Sequence, residues 1–400
     1  MLAFTFPGQG SQKPAMGAPW RDHPSWALVN VASENSGRDV AALLLDADAD
    51  QLKETHNAQL STFVLSMLVL DAVRRAHVGA SHLAGHSLGE YSALVAGGVL
   101  DFASGVRLVT ERGHAMRQAT LERTGTMAAV LGLDDALVDE ACAEARAGGV
   151  EVWLANANAD GQVVIAGSAE GIEAAGVAAK SRGAKRVMAV AVTGAFHTPY
   201  MASAQSRLDA ALAATTFADA VVPIAANVDA ELHQIGAQWP DLLSRQLCSP
   251  VRWRQSLSTL HLAGVSVLVE VGPGTNLTGM AKRTLPDLRL FSAATPQEVQ
   301  TLVTELALLA PEDAPPSEAP PTDGEHLFAS ERLVVSPAAG VFSPAANLQD
   351  GRRVWAGDVL GQVGEHEVRS RFSGWLMGLL AHHGERVTSR QPVAWLRVVP

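Results

Sequence analysis

The chain has 400 residues, of which 48% are hydrophobic and 18% are charged, and its formal net charge is -11. This length is enough for two or three domains with a sizeable core, and the composition is typical of a globular enzyme. The acidic balance argues against nucleic acid as a partner. The two cysteines, Cys142 and Cys248, are too few for a disulfide framework and lack metal-ligand spacing. Cysteine usage therefore favours a reducing cytoplasm and predicts no metal site.

The N-terminus combines a short apolar run with a tight loop. Leu2 to Phe6 predicts a buried strand that ends at Pro7, and residues 8–12 (GQGSQ) predict the loop. The loop lacks both the G-x-G-x-x-G pattern and a P-loop lysine, so phosphate binding is the weaker interpretation. We expect no signal peptide, because no basic region precedes a long apolar stretch. No apolar run in the sequence is long enough to cross a bilayer, which argues against a membrane partner.

Residues 85–89 (GHSLG) fit the G-x-S-x-G pattern of a nucleophile elbow. Residues 82–84 predict the end of a buried strand, and residues 90–99 predict a buried helix. In such a strand-turn-helix unit the glycines leave space for a sharp turn, which pushes the Ser87 hydroxyl outward. The helix N-terminus would face charge that develops beside Ser87. The alternative at this point is an ordinary serine in a tight turn.

The segment from 126 to 192 differs from its surroundings in the pattern of its apolar residues. Short apolar runs alternate there with two helical stretches, in the order β-α-β-β-α-β. This order predicts a ferredoxin-like subdomain inserted in a larger α/β body with a parallel sheet. The body resumes at 194–198 (GAFHT), continues through helices, and returns to a buried strand at Val265 to Val271. A last helix is predicted from Gln297 to Leu309.

The C-terminal quarter of the chain is predicted to be a separate domain. Residues 311–331 are Pro-rich and acidic, which predicts a solvated linker after the α/β body at 1–310. Residues 332–400 contain an internal repeat. The stretch 336–341 (SPAAGV) is echoed by 370–375 (SRFSGW), and 351–354 (GRRV) by 384–387 (GERV). Two similar halves of short strands predict a small all-β barrel-sandwich domain.

A serine nucleophile needs a base, because its hydroxyl is a poor nucleophile at neutral pH. Of the 13 histidines, His197 is the best candidate, since it follows a predicted strand in a turn bounded by Gly194 and Pro199. A capped loop histidine is the alternative interpretation. His82 and His86 have the i, i+4 spacing of zinc ligands, but they lie on a strand and a turn, and we interpret the pair as structural.

Residues 1–309 resemble the malonyl-CoA:acyl carrier protein transacylases, the FabD-type acyltransferases that are shared with polyketide synthases. Six signatures carry the resemblance, and their occurrence in this order is far more specific than any one of them. They are residues 6–12 (FPGQGSQ), residues 85–91 (GHSLGEY), Arg112-Gly113 with Met116, Asn156 and Asn158 before residues 161–167 (GQVVIAG), Phe196-His197, and residues 270–274 (EVGPG).

The resemblance implies a role for each matching position. Ser87 attacks the thioester and carries the acyl group as an ester, and His197 takes the serine proton and later activates the incoming thiol. The backbone N–H groups of Gln9 and Leu88 form the oxyanion hole. Arg112 pairs bidentately with the free malonyl carboxylate, because a planar guanidinium matches that group.

The resemblance also implies the finer features of the site. A main-chain carbonyl near residues 249–253 (SPVRW) orients the imidazole in place of an aspartate. Asn156 and Asn158 line the site from the inserted subdomain. Phe196 crowds an α-methyl branch, which favours malonyl over methylmalonyl. The implied substrate is malonyl-CoA, the implied partner is an acyl carrier protein, and no bound cofactor is expected. Core packing remains open for Phe196, as a plain structural role does for the two asparagines.

Residues 332–400 resemble a biotinyl/lipoyl carrier domain, with two quasi-repeats flanking a hairpin. Such domains carry their cofactor on a lysine at the hairpin apex, which falls here near residues 364–367 (GEHE). No lysine is present there, nor anywhere after Lys282. An amide to biotin or lipoate cannot form without an amine, so the domain is degenerate as a carrier and a structural or docking role remains.

Three other functions stay open at the level of the sequence. A serine hydrolase or thioesterase acting on acyl-CoA shares the elbow, but it normally has an Asp or Glu between Ser and His, and no residue stands out in that role. A malonate-decarboxylase-type acyltransferase subunit shares the acyl chemistry in another pathway. A non-enzymatic scaffold subunit is supported only by the degenerate domain.

Overall fold

The computed structural model describes residues 1–190, 192, 194–309, 331–345, 348, 351–355, 357–370, 372 and 374–397. Internal contacts divide the chain into two compact units, Met1–Asp313 and Ala314–Pro400. Most of the predicted linker, 311–330, lies outside the described residues, as do Arg371 and Ser373 of the predicted repeat. Within the described residues, no helix is both long and apolar enough to span a membrane.

The first unit alternates helices and strands along most of its length, and short 3-10 turns occur at Ala18–Trp20, Pro24–Trp26, Pro199–Met201 and Gly236–Gln238. In chain order its elements are β1 (Leu2–Phe6), α1 (Ala27–Ser36), α2 (Val40–Leu45), α3 (Ala49–Lys53), α4 (Thr55–Arg75), β2 (His82–Gly85), α5 (Gly89–Ala96), α6 (Phe102–Glu122), β3 (Thr126–Leu131), α7 (Asp135–Ala147), β4 (Val152–Ala159), β5 (Gln162–Gly167), α8 (Ala169–Ser181), β6 (Arg186–Ala189), α9 (Ala202–Ala213), β7 (Ile224–Ala225), β8 (Leu232–His233), α10 (Trp239–Cys248), α11 (Trp253–Leu262), β9 (Val267–Val271), α12 (Asn276–Thr284), β10 (Arg289–Ala293) and α13 (Pro296–Leu308).

The body of the first unit is built on a six-stranded sheet with the order β10-β9-β1-β2-β7-β8. All neighbours are parallel except β7 and β8, and Phe6 at the end of β1 lies beside Gly85 at the end of β2. The strands are short apolar runs, as expected of strands covered on both faces. Helix α4 is buried along nearly its whole length, and α5 follows β2 directly. Loops at the carboxyl ends of the parallel strands therefore meet at one edge of the sheet.

The inserted segment forms its own antiparallel sheet with the order β4-β5-β3-β6, and helices α7 and α8 pack on each other. Its chain order is β-α-β-β-α-β. Strand β4 is longer than the predicted run from Val150 to Leu154, and its C-terminal half contains Asn156 and Asn158. Asn156 forms a parallel bridge to Val251, which ties this strand to the body.

Two strands of the body sheet, β7 and β8, lie in a region where the sequence predicts only helices. Each has just two residues, which is too short for an alternating pattern to be visible. Strand β10 was also missing from the sequence-based prediction. It lies at the edge of the sheet and pairs only with β9.

The second unit consists of two four-stranded sheets, with the orders β11-β18-β16-β13 and β15-β14-β12-β17. Apolar side chains from both sheets form one core, which includes Phe342, Leu360 and Leu376. Its strands are β11 (Glu331–Val335), β12 (Gly340–Pro344), β13 (Arg353–Val354), β14 (Val359–Val363), β15 (His366–Arg369), β16 (Gly374–Leu379), β17 (Arg386–Val387) and β18 (Pro392–Arg397).

The hydrogen bonds of the second unit repeat with the sequence. The N–H of Gly351 donates to the carbonyl of Leu376 at 2.7 Å, and the N–H of Gly384 donates to the carbonyl of Phe342 at 2.8 Å. The two halves thus hold each other through equivalent bonds. Strands β14 and β15 form a hairpin in which Val363 pairs with His366, and its turn falls within the stretch predicted as the apex.

Candidate active site

The loops after β1, β2 and β7 bring three polar residues to one edge of the sheet. Gln9 follows β1, Ser87 follows β2, and Asn227 follows β7. The backbone N–H of Ser87 donates to Oδ1 of Asn227 at 2.7 Å, and Nδ2 of Asn227 donates to the carbonyl of Gly85 at 2.7 Å. The asparagine therefore closes the turn that carries Ser87, although these residues are 140 positions apart.

The elbow is sharp because two glycines allow backbone to touch backbone. A Cβ on Gly85 would lie 1.9 Å from the carbonyl group of Gly89, and a Cβ on Gly89 would lie 2.0 Å from the carbonyl oxygen of Phe6. Ser87 itself has φ +52°, a left-handed conformation that costs a non-glycine residue of order 1–3 kcal/mol. The surrounding bonds hold Ser87 in this conformation.

Substituting Gly89 by alanine is expected to destabilise the fold by at least about 2 kcal/mol, because the new methyl group overlaps the β1 main chain. Chemical denaturation of the two proteins measures this difference. Gly279→Ala is the matched control, since a Cβ at that helical position meets no atom within 4 Å. A Gly89→Ala protein that is as stable as wild type would contradict the close contact.

Ser87, His197 and Gln246 form a buried chain of hydrogen bonds. The Ser87 hydroxyl lies 2.8 Å from Nε2 of His197, and Nδ1 of His197 lies 2.8 Å from the backbone carbonyl of Gln246. A carbonyl only accepts, so Nδ1 carries the proton and Nε2 accepts from the hydroxyl. The Gln246 carbonyl is free for this contact because residue i+4 is Pro250, which has no N–H. The orienting carbonyl thus lies three residues before the stretch 249–253 that the sequence pointed to.

The imidazole of His197 is neutral at physiological pH. Burial, and secondly the positive charge of Arg112, lower the pKa of His197 to about 3, while the bond to Gln246 opposes the shift. A neutral ring that accepts from a serine hydroxyl has the state required of a general base. His197 also has a positive φ, +59°, which the following Thr198–Met201 turn stabilises through bonds within the turn.

Arg112 reaches the nucleophile from helix α6. Its Nη2 donates to Ser87 Oγ at 3.1 Å and to Gln246 Oε1 at 2.9 Å, and its Nη1 donates to Gln59 Oε1 at 2.7 Å. The side chain is 1% exposed, and burial lowers its pKa. Among the described residues no carboxylate forms an ion pair with Arg112 and no atom accepts from its Nε. A buried cation that no carboxylate of the described residues contacts directly leaves room for an anionic ligand.

A cavity of about 450 Å³ opens beside Ser87, and Arg112 is not among the described residues that line it. Ser87 and His197 lie in its wall, as do four of the other residues singled out in the sequence: Gln9, Asn156, Asn158 and Phe196. His86 also lines the cavity, and its Nε2 lies 2.9 Å from Oδ1 of Asn158. His82 instead contacts the hydroxyl of Ser81, so the two histidines have separate hydrogen-bond partners.

Two backbone N–H groups beside the nucleophile have no acceptor. Within the described part of the chain, nothing accepts a hydrogen bond from the N–H of Gln9 or of Leu88. Leu88 precedes the first residue of α5, so its N–H belongs to a helix N-terminus. The Leu88 side chain is fully buried and does not line the cavity. The N–H of Ser87 is already bonded to Asn227 and is not available as a third donor.

The cavity, the elbow and the buried arginine all lie in the first unit, and so does the similarity to known proteins. A family model described as the acyl transferase domain matches residues 3–307. The chain belongs to the acyl transferase domain family. The predicted membership in the acyltransferases is therefore confirmed, and residues 308–400 lie outside the matched range.

Relatives of this acyl transferase are similar over their whole length. The malonyl CoA-acyl carrier protein transacylase of Bacillus subtilis (strain 168) is 37% identical over 307 residues, which cover 76% of this chain and 97% of the relative. The crystal structure of an acyl-carrier-protein S-malonyltransferase from Burkholderia pseudomallei 1710b has a TM-score of 0.72 and 36% identity, with 76% of this chain and 99% of that chain covered.

A further solved structure holds two proteins. It is described as a type II PKS acyl-carrier protein in complex with its malonyl-transacylase (PlMCAT:AntF, holo form). The TM-score is 0.73 and the identity 37%, with 76% of this chain and 99% of that chain covered. The mixed α/β fold of the acyl transferase is therefore the one that solved malonyltransferases share.

Four polar side chains around Ser87 were not found from the sequence: Gln59, Glu90, Asn227 and Gln246. Glu90 lies inside the elbow signature, yet the pattern gives no partner for it. Pro250 was the available signal for Gln246, because a proline four residues after a helical carbonyl leaves that carbonyl free. Gln59 and Asn227 carry no comparable local signal.

Proposed function

We propose that this acyl transferase moves a malonyl group from malonyl-CoA to the phosphopantetheine thiol of an acyl carrier protein, through an acyl-enzyme on Ser87. One observation carries the proposal. The Ser87 hydroxyl is bonded both to a neutral His197 and to a buried Arg112 without a carboxylate partner among the described residues. The nucleophilic oxygen of Ser87 is thus in contact with both a general base and a cation that can bind a carboxylate.

In the first half-reaction, Ser87 Oγ attacks the thioester carbonyl carbon while Nε2 of His197 takes the hydroxyl proton. The carbonyl oxygen becomes an oxyanion, which the free N–H groups of Gln9 and Leu88 bind. The C–S bond then breaks, and the proton passes from His197 to the departing thiolate of coenzyme A. The Gln246 carbonyl stabilises the transient imidazolium, as a carboxylate does in a serine hydrolase triad.

In the second half-reaction, the carrier thiol replaces coenzyme A in the same position. His197 takes the thiol proton, the thiolate attacks the ester carbonyl, and Ser87 leaves with the proton that His197 returns. The two substrates use one site in turn, which is a ping-pong mechanism.

Selectivity follows from the residues around the acyl group. Arg112 pairs with the malonyl carboxylate, which an acetyl group lacks. Phe196 is 3% exposed and lies beside the cavity, where its ring would crowd an α-methyl branch. Asn156 and Asn158 complete the wall from the inserted subdomain. We therefore infer a preference for malonyl over both methylmalonyl and acetyl.

The domain organisation supports a fusion of two parts. We propose an acyltransferase domain at 1–310, with a hydrolase-like core and a ferredoxin-like subdomain at about 126–192, followed by a linker at 311–331. Residues 332–400 would form a biotinyl/lipoyl-like domain. Its paired sheets and repeated hydrogen bonds support that assignment, while the lack of lysine leaves it a structural or docking role. The free thiols Cys142 and Cys248 support a cytoplasmic location.

Transfer can be separated from hydrolysis by following the fate of the malonyl group. Incubating the full chain with malonyl-CoA alone should give a stable malonyl ester on the protein, and adding a carrier protein in its phosphopantetheine form should move the group to that carrier. The reason is that Nδ1 of His197 contacts the Gln246 carbonyl, and no carboxylate of the described residues completes a triad with Ser87 and His197.

Mass spectrometry of both proteins and an assay for free malonate measure the outcome. An apo carrier without the thiol is the control and should receive nothing. Rapid release of malonate at a rate that the carrier does not change would instead assign the site to a thioesterase.

A further inference from the structure

Glu90 is a buried carboxyl group that the reaction steps above do not use. It is the second residue of α5, 1% exposed, and both of its oxygens accept hydrogen bonds. Oε1 accepts from the backbone N–H of Asn227 at 2.7 Å, and Oε2 accepts from Nε2 of Gln246. Both partners also bind the Ser87 main chain directly, Asn227 at the N–H and Gln246 at the carbonyl, so one residue separates the Glu90 carboxylate from Ser87 on each side.

Gln246 connects Glu90 to three groups of the site: Ser87, Arg112 and His197. Its Nε2 also donates to the backbone carbonyl of Ser87 at 2.8 Å. Its Oε1 accepts from Arg112 at 2.9 Å, and its backbone carbonyl accepts from His197 at 2.8 Å. The orientation of one amide therefore decides whether Arg112 meets an acceptor or a donor.

Asn227 repeats the arrangement on the other side of the elbow. Its main-chain N–H is held by Glu90, and its side chain binds the N–H of Ser87 and the carbonyl of Gly85. The two peptide groups that flank the Ser87 side chain are thus bound by the side-chain amides of Asn227 and Gln246, and Glu90 contacts Asn227 at its main-chain N–H and Gln246 at its side-chain amide. This matters because Ser87 has a strained left-handed conformation.

We propose that Glu90 is a positioning residue whose carboxylate, by accepting from Asn227 and Gln246 at once, sets the geometry of Ser87 and the direction in which the Gln246 amide faces Arg112. The inference rests on the proposed function, since it concerns the same acylation step. Glu90 touches neither the substrate nor the reacting atoms, and it acts through the two amides.

The requirement is for two acceptors, which only a carboxylate supplies at this position. A glutamine of the same shape offers one oxygen and one NH2 group. If the oxygen of the new glutamine in the variant Glu90→Gln accepts from Asn227, the new NH2 group faces the NH2 group of Gln246. The Gln246 amide must then rotate, which turns its oxygen away from Arg112. If it turns the other way, the N–H of Asn227 loses its acceptor. Either arrangement breaks one bond of the network.

The same logic makes the network depend on pH. Burial raises the pKa of Glu90 to about 8, although the bonds from Asn227 and Gln246 and the charge of Arg112 oppose the shift. Asp229 adds a repulsion that raises it further. The other ionisable neighbours keep one charge state at a pH near the Glu90 pKa. Arg112 stays charged. Tyr91 stays neutral because burial raises the pKa of its phenol, and His86 and His197 stay neutral because burial lowers the pKa of both imidazoles. The protonated carboxyl has one acceptor fewer, so the network is complete only above the Glu90 pKa.

The test compares the rate of Ser87 acylation by malonyl-CoA in three full-length proteins between about pH 6.5 and about pH 9. Wild type should accelerate roughly tenfold as Glu90 ionises. Glu90→Gln should stay at the low-pH rate of wild type and, at the alkaline end, acylate about tenfold more slowly than wild type, because a displaced nucleophile loses its attack geometry. It should also lose part of its preference for malonyl-CoA over acetyl-CoA, since Arg112 loses the Gln246 oxygen as one of its three acceptors when that amide turns.

Glu270→Gln is the matched control. Glu270 is equally buried and its pKa is also raised by burial, but it binds the N–H groups of Leu277 and Thr278 at the start of α12. This variant should keep the wild-type pH profile and selectivity, and thermal unfolding checks that each protein is folded.

A Glu90→Gln protein that follows wild type at every pH overturns the inference, and so does an equal loss in Glu270→Gln. If Glu90→Gln does not fold, the wild-type profile decides, because a rate that is flat across this range excludes the proposed role. Wild type that forms no malonyl ester at any pH contradicts the proposed function instead.

Discussion

Replacing Ser87 by alanine is expected to abolish the malonyl ester on the protein and to lower transfer by at least about 10⁴-fold. The alanine removes the hydroxyl oxygen that contacts both His197 and Arg112, so the base and the cation lose the nucleophile between them. Intact-protein mass spectrometry after exposure to malonyl-CoA measures the ester, and a carrier-loading assay measures transfer.

Ser92→Ala is the matched control for this prediction. Ser92 lies on α5, the helix that follows Ser87, and is fully buried, and its hydroxyl has no partner among the described residues. Its removal should leave acylation close to wild type. A malonyl ester that persists in Ser87→Ala would move the nucleophile to another residue and refute the assignment.

Replacing Arg112 by alanine is expected to lower malonyl transfer by about 10- to 100-fold, the value of hydrogen bonds to a charged group, while acetyl transfer stays equal or improves. The guanidinium is buried without a carboxylate partner among the described residues, so malonyl supplies the missing counter-ion and acetyl does not. The ratio of kcat/KM for malonyl-CoA and acetyl-CoA is the measured quantity.

Two variants separate this role from a general effect on the fold. Arg107→Ala removes an exposed arginine of the same helix that contacts Asn35 and Ser104, and it should leave the ratio unchanged. Arg112→Lys keeps the charge without the planar pair of donors and should fall between wild type and alanine. An equal decrease of kcat/KM for malonyl-CoA and acetyl-CoA in Arg112→Ala would mean that the side chain supports the fold and does not bind the carboxylate.

The sequence was sufficient for the parts of the site that depend on local geometry. A strand, two glycines and a helix are adjacent along the chain at 82–96, so the steric need for Gly85 and Gly89 is visible as a pattern. His197 was singled out by its place in a turn after a predicted strand, and Arg112 by a signature of the family that the chain resembles. The repeat at 332–400 was also visible in the sequence, since short stretches of its first half recur in its second half.

The contacts that complete the site were not visible in this way. Gln59, Asn227 and Gln246 lie on three elements that are far apart in the sequence, and their relation to Ser87 exists only once β2 pairs with β7 and α10 packs against the loop of His197. Strand β7 has two residues and no recognisable pattern. Asn156 and Asn158 were assigned to the site, but their place on an extended β4, held by Val251, required the fold.

By itself, the sequence determined which groups are available: a serine in an elbow, one well-placed histidine, one arginine on a helix and a C-terminal domain without lysine. The tertiary structure decided how those groups are held. It buried Arg112 without a directly contacting carboxylate among the described residues and gave His197 a carbonyl in place of an aspartate. It also brought the Glu90 carboxylate into contact with Asn227 and Gln246, the two residues whose side-chain amides bind the Ser87 main chain. The physical reason is that steric demands of a turn act between neighbouring residues, whereas burial and hydrogen-bond partners depend on which distant elements pack together.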